Sequence, residues 1–537
     1  MNEKQELSQE AKGQFDIPAS WTWSEVKEVV KTVFDGPFGS NLKTSDYTDS
    51  GVRVIRLENL GYLNFKNDKT TYISHEKYVG LKKHTIYEGD IIVGSFIADG
   101  VKAALIPHLD DTLIAKADCF CIRYNPNAVD NRYLHYALST GFISEGYLTI
   151  MRGVTRSRIN TSQLKQTSIP LAPLPEQRRI VAKLEELFSR LDAGVAAVRR
   201  TQALLKRYRQ SVLHAAVTGE FTRAWREAHP APTETGATLL TRIHTERRAQ
   251  WEAAQVAKRG GQLPLNDAWK KKYEEPEAPD TSELPELPAG WAVARLDTIA
   301  DLKGGVTKDS KRQHANARSV PYLRVANVQR GYLDLAEVKK IEVPETALED
   351  LLLQYGDVLF NEGGDLDKLG RGWIWEGQLP ECTHQNHVFR ARPYLSEVAS
   401  RLISYWGNSF GQLYFMRVGK QTTNLASINL SKLSEFPIPL PPIAEQVEIV
   451  VAVEARLSVL DKLEVTLTDE LKRAERLRQS LLHRAFTGRL VPQDATDEPA
   501  AALLTRLREA PAAGLAKAAA KGPRGRRAPA QQTTLGL

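Results

Sequence analysis

Four polar stretches carry the side chains that could do chemistry on a polyanion. Residues 36–43, GPFGSNLK, offer Ser40, Asn41 and Lys43, and residues 152–160, RGVTRSRIN, offer Arg152, Thr155, Arg156 and Arg158. Residues 361–372, NEGGDLDKLGRG, add Asn361, Lys368 and Arg371; residues 419–429, GKQTTNLASIN, add Lys420, Gln421, Thr422, Thr423 and Asn424. Arginine can meet two acceptors on guanine, and asparagine or glutamine can pair with adenine. Lysine and backbone N–H groups suit phosphate. The same mixture is ordinary loop composition, so these are candidate DNA contacts beside a plain solvent-loop alternative.

Bond-making chemistry has no such support. The chain contains no G-x-x-x-x-G-K-[ST] loop, H-E-x-x-H, paired C-x-x-C or G-x-S-x-G, and no Asn-Pro-Pro-aromatic signature of a methyltransferase. Cys382, His384 and His387 cluster in CTHQNHVF, but at a spacing that fits no zinc pattern. Glu362, Asp365 and Asp367 could suggest a metal nuclease. A glycine-rich loop that turns its N–H groups, Lys368 and Arg371 toward phosphate is the better reading. No catalytic residue and no metal ligand is assigned, and the chain is expected to bind no cofactor itself.

The elements that must position these loops are written twice. RQSVLHAAVTGE begins at Arg209 and RQSLLHRAFTGR at Arg478, 269 residues later. IPLAPLPEQ from Ile169 and IPLPPIAEQ from Ile438 keep the same offset, as do INTSQL from Ile159 and INLSKL from Ile428. IPASW ends at Trp21 and LPAGW at Trp291, and EGDIIVGSF is echoed by YGDVLFNEG. A period this long means two copies of a domain with its appendage rather than a solenoid. Each copy opens with strand-like pieces between Gly, Asn and Asp turns, then changes texture after the Glu-Gln pair.

The second texture is helical. Ile180, Leu184, Leu187, Leu191, Gly194, Val198, Thr201, Leu205, Tyr208 and Val212 alternate spacings of four and three, a heptad seam. Ile449, Val453, Leu457, Leu460, Leu463, Leu467, Leu471, Ala474, Leu477 and Leu481 form a broader stripe. Proline marks each entrance and Thr-Gly each exit. One such helix cannot bury its seam alone, so two in one chain are expected to pair. The expected fold is α+β: two globular mixed α/β domains separated by a long antiparallel two-helix coiled coil, tandem-duplicated with pseudo-twofold symmetry.

The boundaries follow as a flexible N-terminus (1–16), a first domain (17–172), a first long helix (173–228) and a linker with a short helix (229–285). A second domain (286–441), a second long helix (442–492) and a largely disordered tail, basic at its end (493–537), complete the chain. At 537 residues, 42% hydrophobic and 26% charged, this is the composition of a multidomain globular protein. No apolar run approaches the roughly 20 residues of a membrane helix, and the polar N-terminus is not a secretory signal. Three cysteines suit a reducing cytoplasm, with Cys119 and Cys121 on one side of a strand. The net charge of +7 is compatible with nucleic acid without requiring it.

Taken together, LPAGW, GDVLFNEGGDLDKLGRG, QNHVFRARP, TTNLASINLSKLSEFPIPLPPIAEQ and RQSLLHRAFTGRL resemble the specificity subunits of type I restriction–modification enzymes, over roughly residues 17–492. That resemblance implies two target recognition domains, each reading one half of a split asymmetric site on double-stranded DNA. Two modification subunits, carrying S-adenosylmethionine and methylating adenine, would dock on the helices. Two restriction subunits would add ATP- and Mg2+-dependent translocation and cleavage. Glu176, Gln177, Gln210 and His214, with their counterparts Glu445, Gln446, Gln479 and His483, are the docking positions it suggests. A stand-alone DNA-binding adaptor or repressor is the alternative, and a self-contained nuclease or methyltransferase lacks motifs.

Overall fold

The computed structural model describes residues 15–98, 100–150, 157–230, 232–264, 266–307, 316–364, 368–421 and 426–509. Outside them lie Arg152, Thr155, Arg156, Thr422, Thr423 and Asn424, the expected flexible N-terminus up to residue 14, and the basic end of the tail. The chain divides into two compact units, Met1–Ala197 with Asp469–Leu537, and Val198–Thr468. Both are mixed α/β. Among the described residues, no helix is long and apolar enough to cross a membrane.

Each unit is built on a four-stranded antiparallel sheet of the same order. In the first unit the strands are β1 (Val30–Phe34), β2 (Ile91–Gly94), β3 (Ala103–Leu105) and β4 (Cys119–Tyr124), ordered β1-β4-β2-β3. In the second they are β5 (Ala300–Gly304), β6 (Val358–Asn361), β7 (Gly372–Ile374) and β8 (Val388–Pro393), ordered β5-β8-β6-β7. Both faces are covered, so alternate residues enter different clusters. Ile91, Val93, Phe120 and Ile122 join the main core of the first unit, whereas Ile92, Cys119 and Cys121 join a smaller cluster. The two thiols share a face, as expected, and burial pushes that of Cys119 up to about 12. The repeated Gly-Asp supplies a matched buried brace. Asp90 takes two hydrogen bonds from Arg123 (3.1 and 2.8 Å), and Asp357 takes two from Arg392 (2.7 and 2.8 Å).

Among the helices that follow the sheets are α1 (Leu174–Val217), α2 (Gly236–Ala257), α3 (Ile443–Phe486) and α4 (Ala500–Glu509). The approach to each 44-residue helix is set locally. Asn160 Oδ1 accepts from Gln163 N, and Asn429 Oδ1 from Lys432 N, both at 2.9 Å, so the repeated Ile-Asn is an N-cap. A short strand then pairs back on the start of the domain: Ser168–Leu171 with Thr22–Glu25, and Pro437–Leu440 with Ala292–Arg295.

At these junctions the repeated phrases meet. In the first unit, Trp21 Nε1 donates to Glu176 Oε2 at 3.0 Å, and Gln493 Nε2 donates to Glu176 Oε1 at 2.6 Å. In the second, Glu445 accepts from Trp291 Nε1 (2.8 Å), Thr222 Oγ1 (2.7 Å) and Arg226 Nη1 (2.5 Å). Gln177 Oε1 accepts from Asp130 N and Gln446 Oε1 from Ala399 N, each at 2.8 Å. All four Glu and Gln side chains are buried. Suggested as docking positions, these four side chains have polar atoms that tie each helix start to its own domain. Gln479 likewise donates to the Tyr62 hydroxyl, while His214 and His483 are exposed.

The exits complete the junctions. Glu220 N donates to Ala215 O (2.9 Å) and Gly219 N to Ala216 O (3.2 Å); Arg489 N to Arg484 O and Gly488 N to Ala485 O repeat the pattern. These are Schellman caps, with Gly219 at φ 71° and Gly488 at φ 69°. A Cβ on Gly219 would lie 2.5 Å from Pro288 Cγ, and one on Gly488 2.2 Å from Pro18 Cγ. The Thr-Gly exit therefore rests on the proline that opens a domain. Gly488→Ala combines a left-handed backbone with that clash, so it should cost about 2–4 kcal/mol. Urea unfolding of the variant beside Gly290→Ala, which shares the left-handed backbone but has open space around an added Cβ, would measure it.

Within each unit the helix segments run antiparallel. In the first, Arg478 pairs with Asp192 and lies 4.8 Å over the Phe188 ring, while Gln493 reaches Glu176. In the second, Arg209 meets Asp461 and Glu464, while Thr222 reaches Glu445. Ile180, Leu184 and Val212 of the seam are buried, but Tyr208 is 51% exposed, as are Leu463 and Leu477 at 44% and 48%. A pair of helices covers each seam residue from one side, so burial is complete only where a domain adds a second side. Residues 493–509, where a disordered tail was expected to begin, are folded: Leu503 and Leu504 are buried, and Ala500 N donates to Ser20 O at 2.9 Å.

Candidate nucleic-acid interface

The two sheets end in the same backbone frame. Cys119 pairs with Gly94 in the first unit, and Val388 pairs with Asn361 in the second. One residue beyond, Ser95 N donates to Asp118 O (2.9 Å) and Glu362 N to His387 O (3.0 Å). The strand then meets the segment before the capped helix: Ile159 N donates to Ser95 O (2.9 Å), and Ile428 N to Glu362 O (2.8 Å). Phe96 faces Arg158 across a bridge, and Gly363 faces Ser427.

On that shared frame the side chains differ. In the first unit, Ser95 Oγ donates to Asp118 Oδ1 at 3.0 Å, Arg158 pairs with Asp118, and the Arg158 guanidinium lies 5.6 Å from the Phe96 ring centre. In the second unit a Glu362–His387 contact of 2.5 Å takes the place of Ser95–Asp118, and no aromatic ring or arginine stands at 363 or 427. Two chemistries are thus mounted on one scaffold. Asp118 and Phe96 were not singled out in the sequence, and Glu362 and His387 were weighed there only as possible metal ligands in separate clusters, because only the strand register brings 95 beside 118 and 362 beside 387.

A family model described as the type I restriction modification DNA specificity domain matches residues 18–196 and 288–473. The chain belongs to this family. It is similar to the type I restriction enzyme EcoKI specificity subunit of Escherichia coli (strain K12), at 23% identity across 94% of this chain and 98% of that one. It is also similar to the EcoBI specificity subunit of Escherichia coli, at 25% identity across 96% and 98%. A solved chain described under complex assembly and conformational transition of the type I R-M system shares the fold. That match has a TM-score of 0.58 and 20% identity, covering 89% of this chain and all of that one. As a type I specificity subunit, the protein is a DNA-recognition component.

For this specificity subunit, the structure sorts the candidate contacts. Ser40, Asn41 and Lys43 are exposed on and beside the turn Gly39–Asn41, close after the end of β1. Asp35, Phe38, Arg158, Asn160 and Thr161 line a notch of about 280 Å3 at the same sheet end. Lys420 is exposed on the short strand Lys420–Gln421, which pairs with Ala426–Ser427. Lys368 and Arg371 are half-buried, and Arg371 Nη2 donates to Val325 O at 3.2 Å. Asn361, also named as a candidate DNA contact, lies inside the domain. It is fully buried and donates Nδ2 to Val328 O (2.8 Å) and Val325 O (3.3 Å), so it anchors an internal loop.

Asp35 gives the first notch a pH dependence. Burial raises its carboxyl to about 6, against a hydrogen bond from Gly36 N and the nearby charge of Arg158, which both lower it. A raised acid favours the fold below its unfolded pKa and loses that advantage as pH rises, here from about 4 to about 6. Asp35→Asn keeps the Oδ1 acceptor for Gly36 N and Asp118 N. The variant should be more stable than wild type above pH 6, by about 1–2 kcal/mol after allowance for partial exposure, and equal near pH 4. Urea unfolding at the two pH values tests this.

Proposed function

We propose that each domain reads one half of a split, asymmetric site on double-stranded DNA. The long helices pair as an antiparallel coiled coil with pseudo-twofold symmetry and fix the unread spacer. They also dock two modification subunits, which carry S-adenosylmethionine and methylate adenine. Two restriction subunits, with ATP and Mg2+, can join that assembly in the cytoplasm. The chain supplies addressing and no bond-making step. What carries this reading is the common frame at the sheet ends with Asp118, Phe96 and Arg158 on one copy and His387, Glu362 and Ser427 on the other. Identical scaffolds with unlike side chains are what two different half-sites call for.

Two reading heads on one duplex gain affinity through effective concentration, since the first contact delivers the second. Phosphate contacts would give affinity that falls steeply with salt, and base contacts about 1–3 kcal/mol of discrimination per pair. The test is to sequence the methylated adenines of cells that express this chain with its modification partner. The expected result is one motif in two unlike pieces separated by a fixed number of unread base pairs. A contiguous or palindromic motif would overturn the reading.

A further inference from the structure

Arg158 is restrained on every side that a reading side chain can be. Its backbone belongs to the sheet margin: Ile97 N donates to Ser157 O at 3.1 Å and Ile159 N to Ser95 O at 2.9 Å. Its guanidinium is fixed by Asp118 through Nη2 and lies against the Phe96 ring. Asp118 is itself held, with Oδ1 accepting from Ser95 Oγ at 3.0 Å and its N–H donating to Asp35 Oδ1 at 3.1 Å. It sits at φ 74°, a left-handed conformation that a non-glycine residue keeps only where its surroundings impose it. Despite these restraints Arg158 keeps 44% of its side chain exposed, between Phe96 at 39% and Phe38 at 52%.

We infer that Arg158 reads a guanine in the half-site of the first domain, with Asp118 as its positioning residue. This rests on the half-site reading above and names the base it would take at one position. A guanidinium edge presents two parallel donors, which match O6 and N7 of guanine in the major groove. The single Asp118 bond takes one hydrogen of Nη2, and the other Nη2 hydrogen still forms a two-donor edge with its neighbouring nitrogen. Among the described residues two carboxylates, Asp118 and Asp35, stand beside Arg158, a local field that disfavours a phosphate and leaves a neutral base edge as the better acceptor. The flanking rings of Phe38 and Phe96 suit an apolar neighbour such as the thymine methyl. In the second domain the equivalent positions are Ser427 and His387, so that half-site carries no such requirement.

The test compares wild type, Arg158→Ala, Arg158→Lys and Asp118→Asn, each as the full chain with its modification partner, on DNA altered at every position of the first half-site. Arg158→Ala should lose discrimination at one G·C pair, by on the order of ten- to a hundredfold, with the second half-site read as before. Arg158→Lys keeps the charge without the fork and should relax the same pair. Asp118→Asn should relax that pair by a smaller factor and no other. Intact reading of the second half-site reports that each variant is folded. Uniform weakening on all sequences with a shallower salt slope would make Arg158 a phosphate contact and overturn the inference. An unchanged motif in Arg158→Ala would also overturn it. In both cases a two-part motif from the wild-type chain would leave the half-site reading standing.

Discussion

Replacing Glu445 by alanine should destabilise the second unit by roughly 3 kcal/mol and abolish recognition of its half-site at physiological temperature. Glu445 is 1% exposed and accepts from three donors on three different segments. Trp291 comes from the start of the domain, Thr222 from just beyond α1 and Arg226 from the short helix Arg223–Ala228. Removal of the carboxylate leaves an indole N–H, a hydroxyl and a mostly covered guanidinium without their acceptor at once. The cost is the desolvation of those groups, not only the worth of the bonds. Glu445→Gln separates the contributions, because an amide oxygen can still accept from Trp291 but no longer balances Arg226.

The matched position predicts a contrast. Glu176 holds Trp21 and Gln493, both neutral, and burial raises its carboxyl above the usual range against the hydrogen bonds from Trp21 and Gln493 and the charge of Arg179. An acid whose proton is favoured in the fold loses little on becoming an amide, so Glu176→Gln should be the milder change above its unfolded pKa. Denaturant unfolding of the four Glu-to-Ala and Glu-to-Gln variants, with near-ultraviolet signals from Trp21 and Trp291, would rank them. Equal costs at 176 and 445 would refute the role given to Arg226.

How much of this could be read from the chain depends on the distance over which each feature is encoded. The Asn160 and Asn429 caps, the Thr-Gly exits and the 269-residue offset are local text, and the structure places them as helix punctuation. The buried brace of Asp90 with Arg123 was visible only as a repeated Gly-Asp, since its partner lies 33 residues on. The ties made by Glu176 and Glu445 were hidden for the same reason. A Glu-Gln pair at a helix entrance looks like surface text until the tryptophan that opens the domain, 155 or 154 residues earlier, is seen against it. The loops around 155 and 423 drew attention through composition, which does not distinguish a reading loop from any other. Asp118 carried no local signal at all, and Glu362 only that of an acidic cluster that pointed to a metal. Their meaning comes from strand register, which pairs 119 with 94 and 388 with 361.

If α1 and α3 fix the spacer, inserting seven residues into each at matched depth should lengthen the unread gap by about three base pairs. Seven residues preserve the heptad phase of the seam and add roughly 10.5 Å at 1.5 Å per residue, against 3.4 Å per base-pair step. Matched sites exist because the 44-residue helices keep one offset: a break after Ala197 in α1 corresponds to one after Thr466 in α3. Both points lie far from the buried Glu-Gln entrances and from the glycine caps, so neither junction is touched. The two half-site sequences should therefore be read unchanged while their separation grows. An insertion of three or four residues instead rotates the seam by about half a heptad and should weaken methylation of every spacing. Insertion into one helix alone should do the same, since the partner seam no longer matches. The methylated motif of each variant gives the answer directly. A seven-residue double insertion that leaves the original spacing methylated would mean that the distance between half-sites is set elsewhere than in these helices.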